Sequence, residues 1–298
     1  MEKVLGIGNA LVDIMTKLKD DDLLKDYNLP KGSMQLIDQD FAGKLMEATK
    51  DLEKLQSSGG SAANTIHGLA RLSVSTGFIG KVGKDELGEL FRDDMEKNKI
   101  DPKLLRSQTI TGRSIAMVSP DSERTMATLL GAAVELSPED LKDNLFEGYD
   151  YLHVEGYLIL NHELLKKAFK LAKDKGMKIS LDLASFNVVD DNLDFLQTFV
   201  KDYVDILFAN EEEAKSFAGK EPEEALDDLA QLCDIAVVKV GKEGSFVKRG
   251  AEKVKIDPID VKPIDTTGAG DAYAGGFLYG LINNYPLDRC GYIGAVLA

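Results

Sequence analysis

The 298-residue sequence is poor in cysteine, in positive charge and in long apolar runs, and each shortage closes off a class of protein. Its two cysteines, Cys233 and Cys290, lie far apart, which excludes a disulfide framework and fits a reducing, cytoplasmic compartment. Lys and Arg number 36 against 51 Asp and Glu, a formal charge of −15. That balance argues against nucleic acid or a membrane surface as partner, since both are bound by a basic face. It leaves room for one anionic ligand in a local pocket. No stretch approaches the roughly 18 apolar residues of a membrane span. The apolar start at Val4–Gly8 passes straight into Asn9 and Asp13, which is not the form of a signal peptide. His67, His153 and His162 have no cysteine or carboxylate at metal-ligand spacing and read as surface or satisfied core residues.

What is present is an alternation. Short apolar runs at 73–80, 149–154, 179–183, 204–209 and 235–240 are interleaved with longer amphipathic segments such as 85–98 and 163–175. In the latter, Leu164, Leu165, Ala168, Phe169, Leu171 and Ala172 fall on one stripe with the lysines opposite, the 3.6-residue period of a helix. Short buried strands alternating with helices predict a mostly parallel central sheet flanked by helices. Two regions, about 11–37 and 109–130, break the rhythm with alternating patterns and turn residues. In the second, 114–118 and 124–128 flank Pro120-Asp121-Ser122, which reads as a hairpin. Antiparallel strands inserted there would form a small β-sheet lid on one α/β domain spanning 1–298. No repeat or Pro/Ser-rich linker offers a second boundary, and the helical pattern at 287–298 stops without a cap, so the natural chain is expected to continue.

Several familiar motifs fail on inspection. Gly6-Ile7-Gly8 lacks the third glycine of a dinucleotide fingerprint, where Leu11 stands. A Walker A loop ending at Gly83-Lys84 would need glycine at Phe78 and a hydroxyl at Asp85. No G-x-S-x-G elbow occurs. The run Asp265-Thr266-Thr267-Gly268-Ala269-Gly270-Asp271 opening a helix is different. Backbone N–H groups of Gly268, Ala269 and Gly270 can converge there on phosphate oxygens. Asp271 would repel a merely bound phosphate, but suits a base that takes the proton of an attacking hydroxyl. The paired Gly59 and Gly60, with Ser61 and Asn64, let backbone approach a polyhydroxy ligand, and Asn64 can both donate and accept. Asn9 and Asp13 follow the first strand, and a carboxylate there can accept two hydroxyls of a diol. Asn210 and Glu213 lie three apart at a strand end, where one Glu can reach magnesium through water, though an acidic helix start explains them equally. Lys239 and Gly241 close another strand at a glycine turn suited to a nucleotide.

In this order (Gly8-Asn9 and Asp13, then GGSAAN, Asn210 with Glu213, and DTTGAGD) the motifs resemble the ribokinase-like PfkB carbohydrate kinase family along essentially the whole chain. The resemblance implies a three-layer α/β fold with a lid and transfer of the ATP γ-phosphoryl group to a hydroxymethyl group. It implies Asp271 as base and Gly268, Ala269 and Gly270 as anion hole. Asn9, Asp13, Gly59, Gly60, Ser61 and Asn64 become acceptor contacts, and Asn210, Lys239, Gly241 and Thr266 nucleotide contacts. Glu213 would serve Mg2+ through water, and Asp265 and Thr267 a monovalent cation such as K+. GGSAANT and the stretch from Gly32 to Leu36 look more like adenosine kinases than ribokinase, with Met34 and Leu36 as an apolar wall for a base. The expectation is an adenosine-kinase-like enzyme; the alternatives are a kinase for ribose or fructose and, remotely, a non-catalytic nucleoside sensor. Exposed lid edges are of the kind that pair between subunits, so a homodimer through the lid is the assembly to look for.

Overall fold

The computed structural model describes residues 2–261 and 268–298. In chain order the strands are β1 (Val4–Ile7), β2 (Leu11–Lys17), β3 (Met34–Leu36), β4 (Lys54–Gly59), β5 (Thr76–Gly83), β6 (Ile100–Ser107) and β7 (Gly112–Val118). They continue as β8 (Arg124–Leu129), β9 (Tyr151–Glu155), β10 (Lys178–Asp182), β11 (Ile206–Asn210), β12 (Ile235–Lys239), β13 (Ser245–Arg249) and β14 (Glu252–Ile256). Nine form one sheet in the order β14-β13-β12-β11-β10-β9-β1-β5-β6. From β12 to β6 every neighbouring pair is parallel, and β13 and β14 close the edge as antiparallel strands.

The parallel strands are apolar on both faces because helices cover both. Leu207 and Ala209 of β11 enter one core with Leu5, Ile7 and Val238, while Ile206 and Phe208 enter another with Val4, Ile235 and Val237. Alternate residues of one strand thus feed opposite layers, the consequence of a two-residue side-chain period. The helices His162–Asp174, Leu193–Tyr203 and Pro222–Leu229 cover the first face, and Ser61–Arg71, Glu86–Lys97 and Ala269–Ile282 the second. The result is three layers.

A second sheet has the order β3-β8-β7-β2-β4. The β7–β8 pair is antiparallel, from Arg113 opposite Leu129 to Val118 opposite Arg124, but contrary to the expectation of antiparallel strands β2 pairs with β7 and β3 with β8 in parallel. This sheet also takes in β4, outside the two segments that sequence patterning picks out. Lys54-Leu55-Gln56-Ser57-Ser58 has no β-branched or aromatic residue, so its strand state is set by pairing with β2, not by propensity. The edge strand β6 likewise carries Pro102, a residue tolerated at sheet edges. Among the described residues no helix is long and apolar enough to cross a membrane.

Candidate active site

Ligands of open α/β sheets lie beyond the carboxyl ends of the strands. Here that edge gathers polar residues: Asn9 just after β1, and Glu155, Asp182, Asn210 and Lys239 as the last residues of β9, β10, β11 and β12. Glu155 is buried, yet well supplied with donors. The Asn9 backbone N–H (2.9 Å) and side-chain Nδ2 (2.6 Å) both donate to its Oε1, and the Ala62 N–H donates to Oε2 at 3.1 Å. Burial outweighs these donors and lifts its pKa to about 7, with the charge of Asp271 adding to the rise. The carboxylate ties the loop after β1 to the start of the Ser61–Arg71 helix.

The second glycine-rich segment meets the first at Asp271. Ser61 Oγ donates to Asp271 Oδ1 at 2.7 Å, Asn64 Nδ2 donates to Oδ2 at 2.9 Å, and Thr65 Oγ1 donates to the Asp271 carbonyl at 3.1 Å. Burial raises the Asp271 pKa above the ordinary carboxylate value; the hydrogen bonds from Asn64 and Ser61 oppose this, and the charge of Asp182 adds to it. Gly268, at φ +74°, precedes the Ala269–Ile282 helix in the left-handed region, which turns the chain into the helix. Ala269 and Gly270 lie in its first turn, where N–H groups have no intrahelical acceptor and face outward at the positive end of the dipole.

Lys239 Nζ donates to Asp182 Oδ2 at 2.8 Å, and a Cβ added to Gly270 would stand 3.2 Å from that ammonium. Asn210 and Glu213 form a reciprocal helix cap. The Asn210 N–H and Nδ2 donate to the two Glu213 oxygens at 2.8 Å each, and the Glu213 N–H returns to Asn210 Oδ1 at 2.8 Å. Burial, reinforced by the charge of Asp182, lifts the Glu213 pKa to about 7. Among the described residues no cluster of three His, Cys, Asp or Glu is set to hold a metal ion.

Asp13 lies on β2 across from Ser57 of β4 and Ser114 of β7. Burial and the charge of Asp271 lift its pKa to about 6, with Arg124 pulling the other way. The paired glycines make room for this arrangement. A Cβ on Gly59 would stand 2.2 Å from Asp13 Oδ2, and one on Gly60, at φ +101°, would stand 2.2 Å from the Asn9 carbonyl oxygen. Register puts Met15, Ala116, Met126, Met34, Leu36 and Leu55 on the same sheet face as Asp13. Three of them are largely exposed (Met34 50%, Leu36 64%, Leu55 62%), while the opposite face packs Ile115, Met117, Ala127 and Leu129 into a core of its own. The Asp13 face therefore carries exposed apolar side chains on β3 and β4, and Ser57, Ser114, Thr128 and Arg124 share it with them.

Of the residues singled out from sequence, Ser61, Asn64 and Asp271 meet directly, as do Asn210 and Glu213; Asn9 is joined to the helix start through Glu155. Ser61 and Asn64, expected at the acceptor, spend a donor each on Asp271. Gly241 sits at φ +52° in the turn after β12, with open space where a Cβ would go. Asp265, Thr266 and Thr267 lie outside the described residues. His153, read as a satisfied histidine, is buried with Nδ1 2.9 Å from Ser180 Oγ and no partner for Nε2. Asp182 was missed; its signal was a carboxylate closing an apolar strand.

Residues 36–298 match the pfkB family carbohydrate kinases. The adenosine kinase of Sinorhizobium meliloti is 36% identical, covering 99% of this chain and 92% of its own, with a TM-score of 0.87. A probable sugar kinase of Rhizobium etli CFN 42 is 34% identical over 99% of this chain and 91% of its own, with a TM-score of 0.88. A 5-dehydro-2-deoxygluconokinase of Clostridium perfringens is 29% identical over 248 residues, 77% of this chain and 73% of its own.

Proposed function

The chain belongs to the pfkB carbohydrate kinase family, with a ribokinase-like fold and ATP as phosphoryl donor, and from that premise we propose that its acceptor is the 5′-hydroxyl of a ribonucleoside, adenosine first. The observation that carries this choice is the set of apolar side chains, Met34 and Leu36 among them exposed, that share the sheet face of Asp13. A free sugar is bound by hydroxyl partners alone, whereas a nucleoside also needs apolar surface for its base. Met15, Met126, Met34 and Leu36 supply such a surface beside a carboxylate able to accept from a ribose diol. The likeness to the Sinorhizobium meliloti adenosine kinase supports the same reading.

In this reading Asp13 orients the ribose, and Asp271 takes the proton of the attacking hydroxyl. Its raised pKa makes it a better proton acceptor than an ordinary surface Asp. The first-turn N–H groups of the Ala269–Ile282 helix, with Gly268 before them, hold the charge of the transferring phosphoryl group. Glu213 and Asn210 would hold Mg2+ through water, and the ion would offset phosphate charge. Asp265 and Thr267 are proposed for a monovalent cation, and Thr266 and Gly241 for the nucleotide. The second sheet would close over the acceptor and exclude water that otherwise hydrolyses ATP. Its edge strand β3 is the proposed seam for a homodimer.

The rival acceptor is a free sugar, favoured by the 34% identity to the Rhizobium etli probable sugar kinase. Incubation with Mg-ATP and, in turn, adenosine, other nucleosides, ribose and fructose, with phosphorus NMR of the products, separates the two. The reading expects 5′-AMP from adenosine. Phosphorylated ribose or fructose with adenosine untouched would sink it.

A further inference from the structure

We propose that Asp182 is a positioning residue for phosphoryl transfer: it holds the Lys239 ammonium beside Gly270, where that cation meets the terminal phosphoryl group of ATP. The inference rests on the phosphoryl position assigned above to the start of the Ala269–Ile282 helix, and not on which acceptor is used.

Asp182 closes β10 and Lys239 closes β12, with β11 between them, so the pair bridges over the end of an intervening strand. The ammonium stands 6.0 Å from the ring centroid of Phe208 on that strand, 2.8 Å from Asp182 Oδ2, and within reach of Gly270. Among the described residues Asp182 is its hydrogen-bond partner. Asp182 itself is 6% exposed. A buried ion pair is a poor stabiliser, since desolvating both charges consumes most of the attraction, and apolar residues of similar size often do as well. The placement makes better sense as chemistry. Burial alone would lower the lysine's proton affinity; the charges of Asp182, Glu213 and Asp271 reverse this and keep it a cation. His153, on the neighbouring strand, cannot substitute, because burial brings its pKa down to about 4.

In the transfer, the terminal phosphorus bonds to the acceptor oxygen while its bond to the β–γ bridging oxygen breaks. The bond pair leaves on ADP, and the hydroxyl proton passes to Asp271. Charge spreads over the moving group and the leaving oxygen, and a fixed ammonium there is worth more in the transition state than in water. A lysine is a flexible point charge, so its direction must be imposed by a partner. Asp182 imposes it.

The test compares the wild type with Asp182→Asn, Lys239→Met and the double variant, each with its thermal midpoint. Steady-state ATP titrations use the acceptor that the nucleoside and sugar panel identifies. Lys239→Met should lower kcat by about 100- to 1,000-fold. Asp182→Asn should lower it by about 10- to 100-fold, with the acceptor KM within about twofold. In the Lys239→Met background Asp182→Asn should add nothing, because the carboxylate acts through the lysine. The double variant removes both charges together and should fold even where Asp182→Asn leaves a strained cation. Calorimetry gives a readout without any acceptor: Lys239→Met should weaken ATP binding about tenfold, with ADP binding within about twofold. Losses that multiply in the double variant, a shifted midpoint with wild-type kcat, or equal weakening of ATP and ADP would each overturn the proposal. Failure of adenosine turnover alone would overturn only the nucleoside reading.

Discussion

At Glu155 a carboxylate meets three N–H groups in a place that water hardly reaches, and the balance falls toward the proton. Its pKa of about 7 in the fold, against 4.5 unperturbed, means that the folded chain binds that proton more tightly than the unfolded chain. Between these two values the native state holds more protons, so this group's contribution to stability falls as pH rises, is fully unfavourable above about 7, and vanishes below about 4.5. The thermal midpoint of the wild type should therefore decline more steeply across that window than that of Glu155→Gln, which has nothing to titrate. Parallel declines would show that Glu155 has an ordinary pKa. In sequence Glu155, within His153-Val154-Glu155-Gly156-Tyr157, matches a position of the resembled family, but its surroundings were not visible there. Its partners Asn9 and Ala62 lie 146 and 93 residues away.

At the scale of elements, the turn from β4 into the Ser61–Arg71 helix brings the second sheet and the α/β core together. Gly59 still pairs with Leu11 in the second sheet, and one residue later Gly60 begins the turn into the helix of the α/β core. Gly60→Ala would force a side chain into a left-handed conformation and against the Asn9 carbonyl, whose backbone has little freedom to retreat. Denaturant unfolding should show a loss of about 1–3 kcal/mol, and the kcat/KM of the remaining folded enzyme should fall as well. Wild-type stability would mean that the turn is not held this way. The motif GGSAAN was legible as a close approach of backbone, because paired glycines leave room for one. What it approaches was not: the contacts are with Asp13 and Asn9, and Ser61 and Asn64 turn to Asp271. The β–α alternation was legible for a similar reason, since parallel strands buried on both faces read as continuous apolar runs. β4 was illegible because its polar sequence borrows its strand state from β2.

For the molecule as a whole, the acidic composition takes on structure at the strand ends. Asp13, Glu155, Asp182, Glu213 and Asp271 converge there, with Lys239 among them, while elsewhere charged groups form exposed pairs such as Lys25–Asp22 and Lys170–Asp174 that add little stability. Convergence across long stretches of chain is what sequence shows least: Ser61 and Asn64 reach Asp271 from 210 and 207 residues away. Asp271→Asn can keep both hydrogen bonds, its carbonyl accepting from Asn64 and its amide donating to the Ser61 oxygen, so the variant removes the carboxylate proposed as base and little else. The decisive measurement is the turnover number of Asp271→Asn beside its calorimetric affinity for ATP and acceptor. The account predicts a fall in kcat of about 100- to 10,000-fold with affinities within a few-fold of wild type. Wild-type turnover would contradict it.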